Sequence, residues 1–174
     1  MNIADYQRIM IIGNNGSGKS HMARELAEIT GLPLTHLDRE FWRPNWEMPT
    51  REEWAERNRQ LIAGERWIID GMIRHGDTMA LRYAAAELVM ILDINRFVCC
   101  YGVIKRAGKL REDMPPYLWN SRGPRFLRLC KRTLLFNTKA AYASMREAYP
   151  ETPVLVINSR REMNRLLKQW STQF

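Results

Sequence analysis

The stretch Gly13-Asn14-Asn15-Gly16-Ser17-Gly18-Lys19-Ser20 constrains this 174-residue chain more than any other. It completes the pattern G-x-x-x-x-G-K-[ST], with the apolar run Arg8–Ile12 before it and an amphipathic segment carrying Met22, Leu26 and Ile29 after it. That context predicts a strand, a glycine-rich loop and a helix in immediate succession. Glycines let the backbone curl into a nest of inward-facing N–H groups, and the helix that follows adds the partial positive charge of its N-terminus. Such a loop is built to hold a chain of phosphates. The spacing directs Lys19 to the β- and γ-phosphates and Ser20 to a Mg²⁺ ion. The expected ligand is ATP or GTP with Mg²⁺, cradled by Gly13, Asn14, Asn15, Gly16, Ser17, Gly18, Lys19 and Ser20.

Four further runs rich in Ile, Val or Leu fall at Leu34–Leu37, Trp67–Asp70, Leu88–Asp93 and Val154–Ile157. Each is short enough to be a buried strand. Between them apolar residues recur at helical spacing, with Phe97, Tyr101 and Ile104 on one face and Met163, Leu166, Leu167 and Trp170 on another. Thr50 and Glu53 form a capping-box pattern ahead of a helix that carries Trp54, Leu61 and Ile62. Strands alternating with helices predict an α/β fold of three layers, a five-stranded parallel sheet joined by right-handed crossovers. No repeat or low-complexity linker divides the chain, so residues 1–174 are expected to form a single domain. Two stretches break the alternation: Asp38–Pro49, with two prolines and two tryptophans, and Gly108–Pro124, with three prolines and two glycines. Irregular connections of this length are more often functional than incidental.

A hydrophobic content of 45% with 26% charged residues excludes a disordered or fibrous chain. The net charge of +8 is concentrated: Lys105–Arg132 holds nine basic and two acidic residues, and the rest of the chain holds 18 and 17. Arginine outnumbers lysine by 21 to 6, which favours planar, bidentate recognition of phosphate or carboxylate over generic attraction. Cys99, Cys100 and Cys130 are odd in number and lack metal-ligand spacing, as in a reducing compartment. The N-terminal residues read neither as a signal peptide nor as a membrane span, and the expected location is the cytoplasm.

Asp70 closes the run Trp67–Asp70 and is followed by Gly71. A carboxylate at the C-terminal end of a strand beside the phosphate loop is placed for a second Mg²⁺ contact through water. The segment Leu37–Trp46 follows the second strand, a position that in P-loop kinases of this layout faces the γ-phosphate. There Asp38 could orient an acceptor hydroxyl or take its proton, and Arg39, Trp42 and Trp46 could face the acceptor.

The strings L-D-x-x-F-W-x-P-x-W from Leu37, R-E-E-W from Arg51 and W-I-I-D-G from Trp67 resemble the topology modulation protein family, a branch of adenylate-kinase-like P-loop proteins. The similarity runs from Ile9 through R-x-D-M at Arg111–Met114 to Asn158-Ser159-Arg160-Arg161-Glu162. The resemblance implies a nucleoside-kinase-like fold with ATP at the loop, an acceptor-side insertion at about 38–66 and an arginine-bearing lid at about 106–124. It implies that Arg106 and Arg111 join Lys19 in stabilising a transferring phosphoryl group, whose negative charge spreads over the equatorial oxygens. A lid would also exclude water. Asp70-Gly71-Met72-Ile73-Arg74 resembles the D-G-F-P-R box of adenylate kinases, which makes Arg74 an acceptor contact. Arg160 falls where such folds curl a loop over the adenine.

Two departures qualify the acceptor side. The family's D-G-N-Y is Asp70-Gly71-Met72-Ile73 here, and the acceptor-binding T-G-D-x-x-R of adenylate kinases is absent. AMP is therefore not the expected acceptor. The leading expectation is an ATP-dependent phosphotransferase acting on a small acceptor such as a nucleotide or nucleoside. The alternative is a nucleotide-dependent nucleic-acid-binding protein that affects DNA topology, with Arg122, Arg125, Arg128, Lys131 and Arg132 as a basic stripe.

Overall fold

In the computed structural model, which describes residues 1–109, 111–118 and 123–173, the five apolar runs are five strands. They are β1 (Arg8–Gly13), β2 (Leu34–His36), β3 (Trp67–Asp70), β4 (Leu88–Leu92) and β5 (Val154–Ile157). The helices are α1 (Lys19–Thr30), α2 (Leu37–Phe41), α3 (Arg51–Ile62), α4 (Thr78–Ala85), α5 (Arg96–Lys105), α6 (Pro124–Leu135), α7 (Thr138–Ala148) and α8 (Arg160–Trp170). All strand pairs are parallel, in the order β2-β3-β1-β4-β5. The fold is thus the predicted α/β architecture.

Alternation along the strands divides the core into two layers. Ile9 and Ile11 of β1 pack with Met22 and Leu26 of α1 and with Met163 and Trp170 of α8. Met10 and Ile12 point the other way, among Phe41, Trp54, Met79, Tyr83 and Tyr142 of α2, α3, α4 and α7. A parallel sheet must be covered on both faces, and the three central strands β1, β3 and β4 are buried on both. Thr50 caps α3 as expected, its hydroxyl accepting from Glu53 N at 3.2 Å while Thr50 N donates to Glu53 Oε2 at 2.8 Å. No helix among the described residues is long and apolar enough to cross a membrane.

Three expectations need correction. Leu37 starts α2 instead of ending β2, so the first part of the Asp38–Pro49 stretch is helical. Asp93 lies one residue beyond β4. The face formed by Phe97, Tyr101 and Ile104 is not a core face: these residues are 67%, 60% and 48% exposed. The reason is steric. Helix α5 lies so close to the phosphate loop that a Cβ on Gly102 would come within 2.6 Å of the Gly16 carbonyl oxygen. Only the face with Cys99, Gly102 and Val103 fits there, and the large side chains turn outward.

The buried polar pair Arg82–Asn58 has no counterpart in the hydrophobic pattern. Arg82 of α4 is fully buried, donating from Nη2 to the Ile73 carbonyl at 2.7 Å and from Nη1 to Asn58 Oδ1 of α3. Burial lowers its pKa to about 10, so it stays charged at neutral pH. Asn58→Ala leaves that cation short of an acceptor and is expected to cost about 2–3 kcal/mol in a urea titration. Replacing both residues by apolar ones (Asn58→Leu with Arg82→Met) is expected to recover most of the loss.

Candidate active site

Parallel α/β sheets bind ligands at the carboxyl ends of their strands, where the chain order reverses. Here β1 lies between β3 and β4, and its carboxyl end runs into the glycine-rich loop. The loop is fixed from three directions. Asn14, which is buried, donates from Nδ2 to the Thr133 carbonyl of α6 at 2.8 Å, and its Oδ1 accepts from Asn15 N at 2.7 Å. Arg160 donates from Nη2 to the Gly16 carbonyl at 2.7 Å. Gly16 itself sits at φ +75°, with no room for a Cβ against the Cys99 carbonyl of α5. The Gly16–Gly102 contact is therefore part of what fixes the glycine-rich loop. Gly102→Ala is expected to displace the loop and weaken ATP binding by at least about tenfold in a calorimetric titration, the equivalent of about 1.4 kcal/mol.

Lys19 is the first residue of α1, and its Nζ donates to the Asn14 carbonyl at 2.9 Å. Burial lowers its pKa, with Arg106 acting in the same direction and Asp70 and Asp38 opposing. The same charges act on one another throughout. Burial raises the Asp38 pKa, which Lys19 and Arg111 partly offset. Burial and the neighbouring Arg111 lower Arg106 to about 10, against the pull of Asp113, Asp38 and Asp70. One electrostatic cluster thus unites Lys19, Asp38, Asp70, Arg106, Arg111 and Asp113, drawn from well-separated parts of the chain. Lys19, Asp38, Arg106 and Asp113 of this cluster all have shifted pKa values, a pattern common at functional sites.

Asp70 is nearly buried at the end of β3, and β2 pairs in a register that sets His36 beside it. Asp70 Oδ2 meets His36 Nδ1 at 2.8 Å, and its buried Oδ1 has no hydrogen-bond partner. The described residues contain no cluster of three His, Cys, Asp or Glu side chains able to hold a metal alone. Any ion here must bring most of its ligands as water and phosphate oxygen, which is how Mg²⁺ is bound. The orphaned Oδ1 of Asp70 and the Ser20 hydroxyl fit that description.

Asp113 is the residue the sequence reading missed. It is 5% exposed, and its Oδ2 accepts the Ser20 hydroxyl at 2.6 Å. Arg111 grips the same carboxylate, with Nε on Oδ1 at 2.8 Å and Nη2 on Oδ2. Burial opposes its ionisation, but the Arg111 bonds and charge, the Ser20 bond and Arg106 together hold it well below the usual carboxylate range. In the sequence it stands only as the acid of R-x-D-M at Arg111–Met114, with no role attached to it.

The other candidates stand further out. Trp42 packs edge-on against Phe41 at 4.9 Å and Trp46 at 5.4 Å, and its carbonyl accepts from the Tyr117 hydroxyl at 2.8 Å. Arg125 of α6 lies 5.7 Å from the centre of the Trp46 ring. Segment 111–118 and α6 therefore both touch the loop that carries Trp42 and Trp46. Arg39 is exposed on α2. Arg74 donates from Nη2 to the Ala141 carbonyl of α7 at 2.7 Å. On α6, Arg125, Arg128, Lys131 and Arg132 are exposed, whereas Leu110 and Arg122, both within the expected lid, lie outside the described residues.

Several solved structures are similar to this chain, two of them with TM-scores above 0.5. A sugar kinase from Janibacter sp. is 18% identical, with a TM-score of 0.53, over 95% of this chain and 92% of that one. A protein assigned as a kinase from Chloroflexus aurantiacus is 17% identical, with a TM-score of 0.52, over 95% and 96%. The deoxyadenosine kinase of M. mycoides, solved with bound dCTP, is 14% identical, with a TM-score of 0.46, over 95% and 99%. For the first two, at these identities, the likeness is one of fold. No protein-family model matches the chain, and neither does any curated protein sequence.

Proposed function

We propose that this protein is a Mg²⁺-dependent kinase that moves the γ-phosphate of ATP to a hydroxyl or phosphate oxygen of a small acceptor, such as a nucleoside or nucleotide. The observation that carries this reading is the cluster itself. A complete glycine-rich loop with its Lys19 shares one cluster of charges with a raised-pKa carboxylate, Asp38, and two arginines, Arg106 and Arg111. A phosphate-binding loop alone would serve any nucleotide-binding protein; a candidate base in the same cleft gives it something to do with an acceptor.

The roles follow from the positions. The loop amides and Lys19 hold the triphosphate, and Ser20 with Asp70 fixes the Mg²⁺, which neutralises charge on the phosphates. Arg106 stabilises the charge that spreads over the equatorial oxygens in the transition state. Arg111 has one nitrogen, Nη1, left for the same purpose after its two bonds to Asp113. Asp38 orients the acceptor hydroxyl and takes its proton, for which a pKa raised toward neutrality is the suitable property. Trp42 and Arg39 lie toward the acceptor side. Arg74 and Arg160 are assigned to acceptor and nucleotide respectively, each already engaging a carbonyl nearby. The tie from Arg160 to Gly16 suits a residue that shapes the loop around its ligand.

The test is ADP release from ATP across a panel of nucleosides, nucleotides and small hydroxylated metabolites. Stimulation by at least one acceptor is expected. Normal ATP binding with no acceptor-stimulated release would overturn the kinase reading. If that result came with DNA binding that weakens steeply with salt, the α6 stripe of Arg125, Arg128, Lys131 and Arg132 would become the functional surface.

A further inference from the structure

We infer that Asp113, and not Asp70, is the carboxylate that orients the Ser20 hydroxyl toward the Mg²⁺ ion; the inference rests on the Mg²⁺-nucleotide reading above. Both acids lie in the charged cleft, but they are differently engaged. Asp70 turns Oδ2 to His36 and makes no hydrogen bond to Ser20. Asp113 accepts the Ser20 hydroxyl at 2.6 Å. An ionised carboxylate can only accept, so the shared hydrogen belongs to Ser20 and both lone pairs of Oγ remain for a metal. The bidentate Arg111 grip holds that carboxylate in place, as outer-shell partners of metal ligands do. Asp113 is therefore a positioning residue, with Arg111 behind it. It comes from the connection between α5 and α6, so the Ser20 geometry depends on residues 111–113 being seated against α1. A second contact supports that seating: Arg24 of α1 meets Glu112 at 3.7 Å.

The experiment compares ADP affinity in Mg²⁺ and in EDTA for the intact protein and for Asp113→Ala, Asp113→Asn and Asp70→Asn. Mn²⁺ binding to the ADP complexes is followed in parallel by electron paramagnetic resonance. In the unaltered protein Mg²⁺ tightens ADP binding. In Asp113→Ala that gain falls by about 10- to 100-fold, the usual cost of losing an outer-shell partner. Affinity in EDTA is retained or improved, because Arg111 is released toward the phosphates. Asp113→Asn loses most of the gain as well, since an amide is a weaker acceptor than a carboxylate. Asp70→Asn weakens Mn²⁺ binding but leaves the Asp113 dependence in place. Equal losses with and without metal in Asp113→Ala would mean that the residue only packs the segment, and would overturn the inference. A full Mg²⁺ gain in that variant would overturn it too. Absence of any Mg²⁺ gain in the unaltered protein would remove the Mg²⁺-nucleotide reading and the inference with it.

Discussion

Arg106→Ala is expected to slow phosphoryl transfer by about 10³-fold while leaving ATP affinity little changed. Arg106 is the C-cap of α5, which is anchored against the glycine-rich loop through Gly102. Burial depresses its pKa to about 10, yet it remains protonated at neutral pH. A charge that is partly stripped of water and already in position interacts most strongly with the negative charge developing in the transition state. On the proposed reading, ground-state ATP would be held mainly by the loop amides and Lys19, which the substitution leaves untouched. Arg106→Lys should recover little, because an ammonium on a flexible stem cannot reproduce a planar fork. Single-turnover transfer alongside equilibrium ATP binding separates the two effects. An equal loss in both would mean that Arg106 only binds the nucleotide.

Asp38→Asn is expected to have the second large effect, and one of opposite sign on stability. Loss of the proton acceptor should reduce turnover by about 10²- to 10⁴-fold. Because burial raises the Asp38 pKa above its unfolded value, the folded state favours the protonated form. The stabilisation from that group is fully present below the ordinary carboxylate range and is lost as pH rises through the folded-state pKa. At pH 7 the ionised carboxylate therefore costs stability, and the neutral amide of the Asp38→Asn variant removes that cost. The variant should melt higher at pH 7, by about 2–4 °C for each kcal/mol relieved, with the difference vanishing in acid. A gain in stability with a loss of activity is the signature of a group kept for chemistry. In the unaltered protein the acid limb of the pH–rate profile should lie above the range of a free aspartate.

How much of this was legible in the sequence depended on whether the signal was local. The loop Gly13–Ser20, the five apolar runs and the Thr50–Glu53 cap are written in consecutive residues, and each appears in the structure close to where the spacing put it. Asp70 could be placed at a strand end for the same reason. Its partner His36 could not, because their meeting depends on β2 pairing with β3 in a particular register. The outward turn of Phe97, Tyr101 and Ile104 was hidden in Gly102, since a helical period does not say which face another backbone will approach to 2.6 Å. Arg82 and Asn58 belong to no apolar pattern in the sequence. They are buried because each supplies the other's hydrogen bond across α3 and α4. Asp113 was hardest to see. An acid two residues from Arg111 reads as local charge balance until the fold carries it to Ser20, 93 positions away.

On the proposed reading, the cleft as a whole serves to move a phosphoryl group between two bound molecules. The most direct test follows the phosphorus itself. With γ-³²P-labelled ATP, Mg²⁺ and the acceptor panel, label should appear in an organic acceptor, with inorganic phosphate release remaining slow. Lys19→Met should abolish that transfer. Label found only in inorganic phosphate, or retained in ATP that is nonetheless bound, would contradict the account.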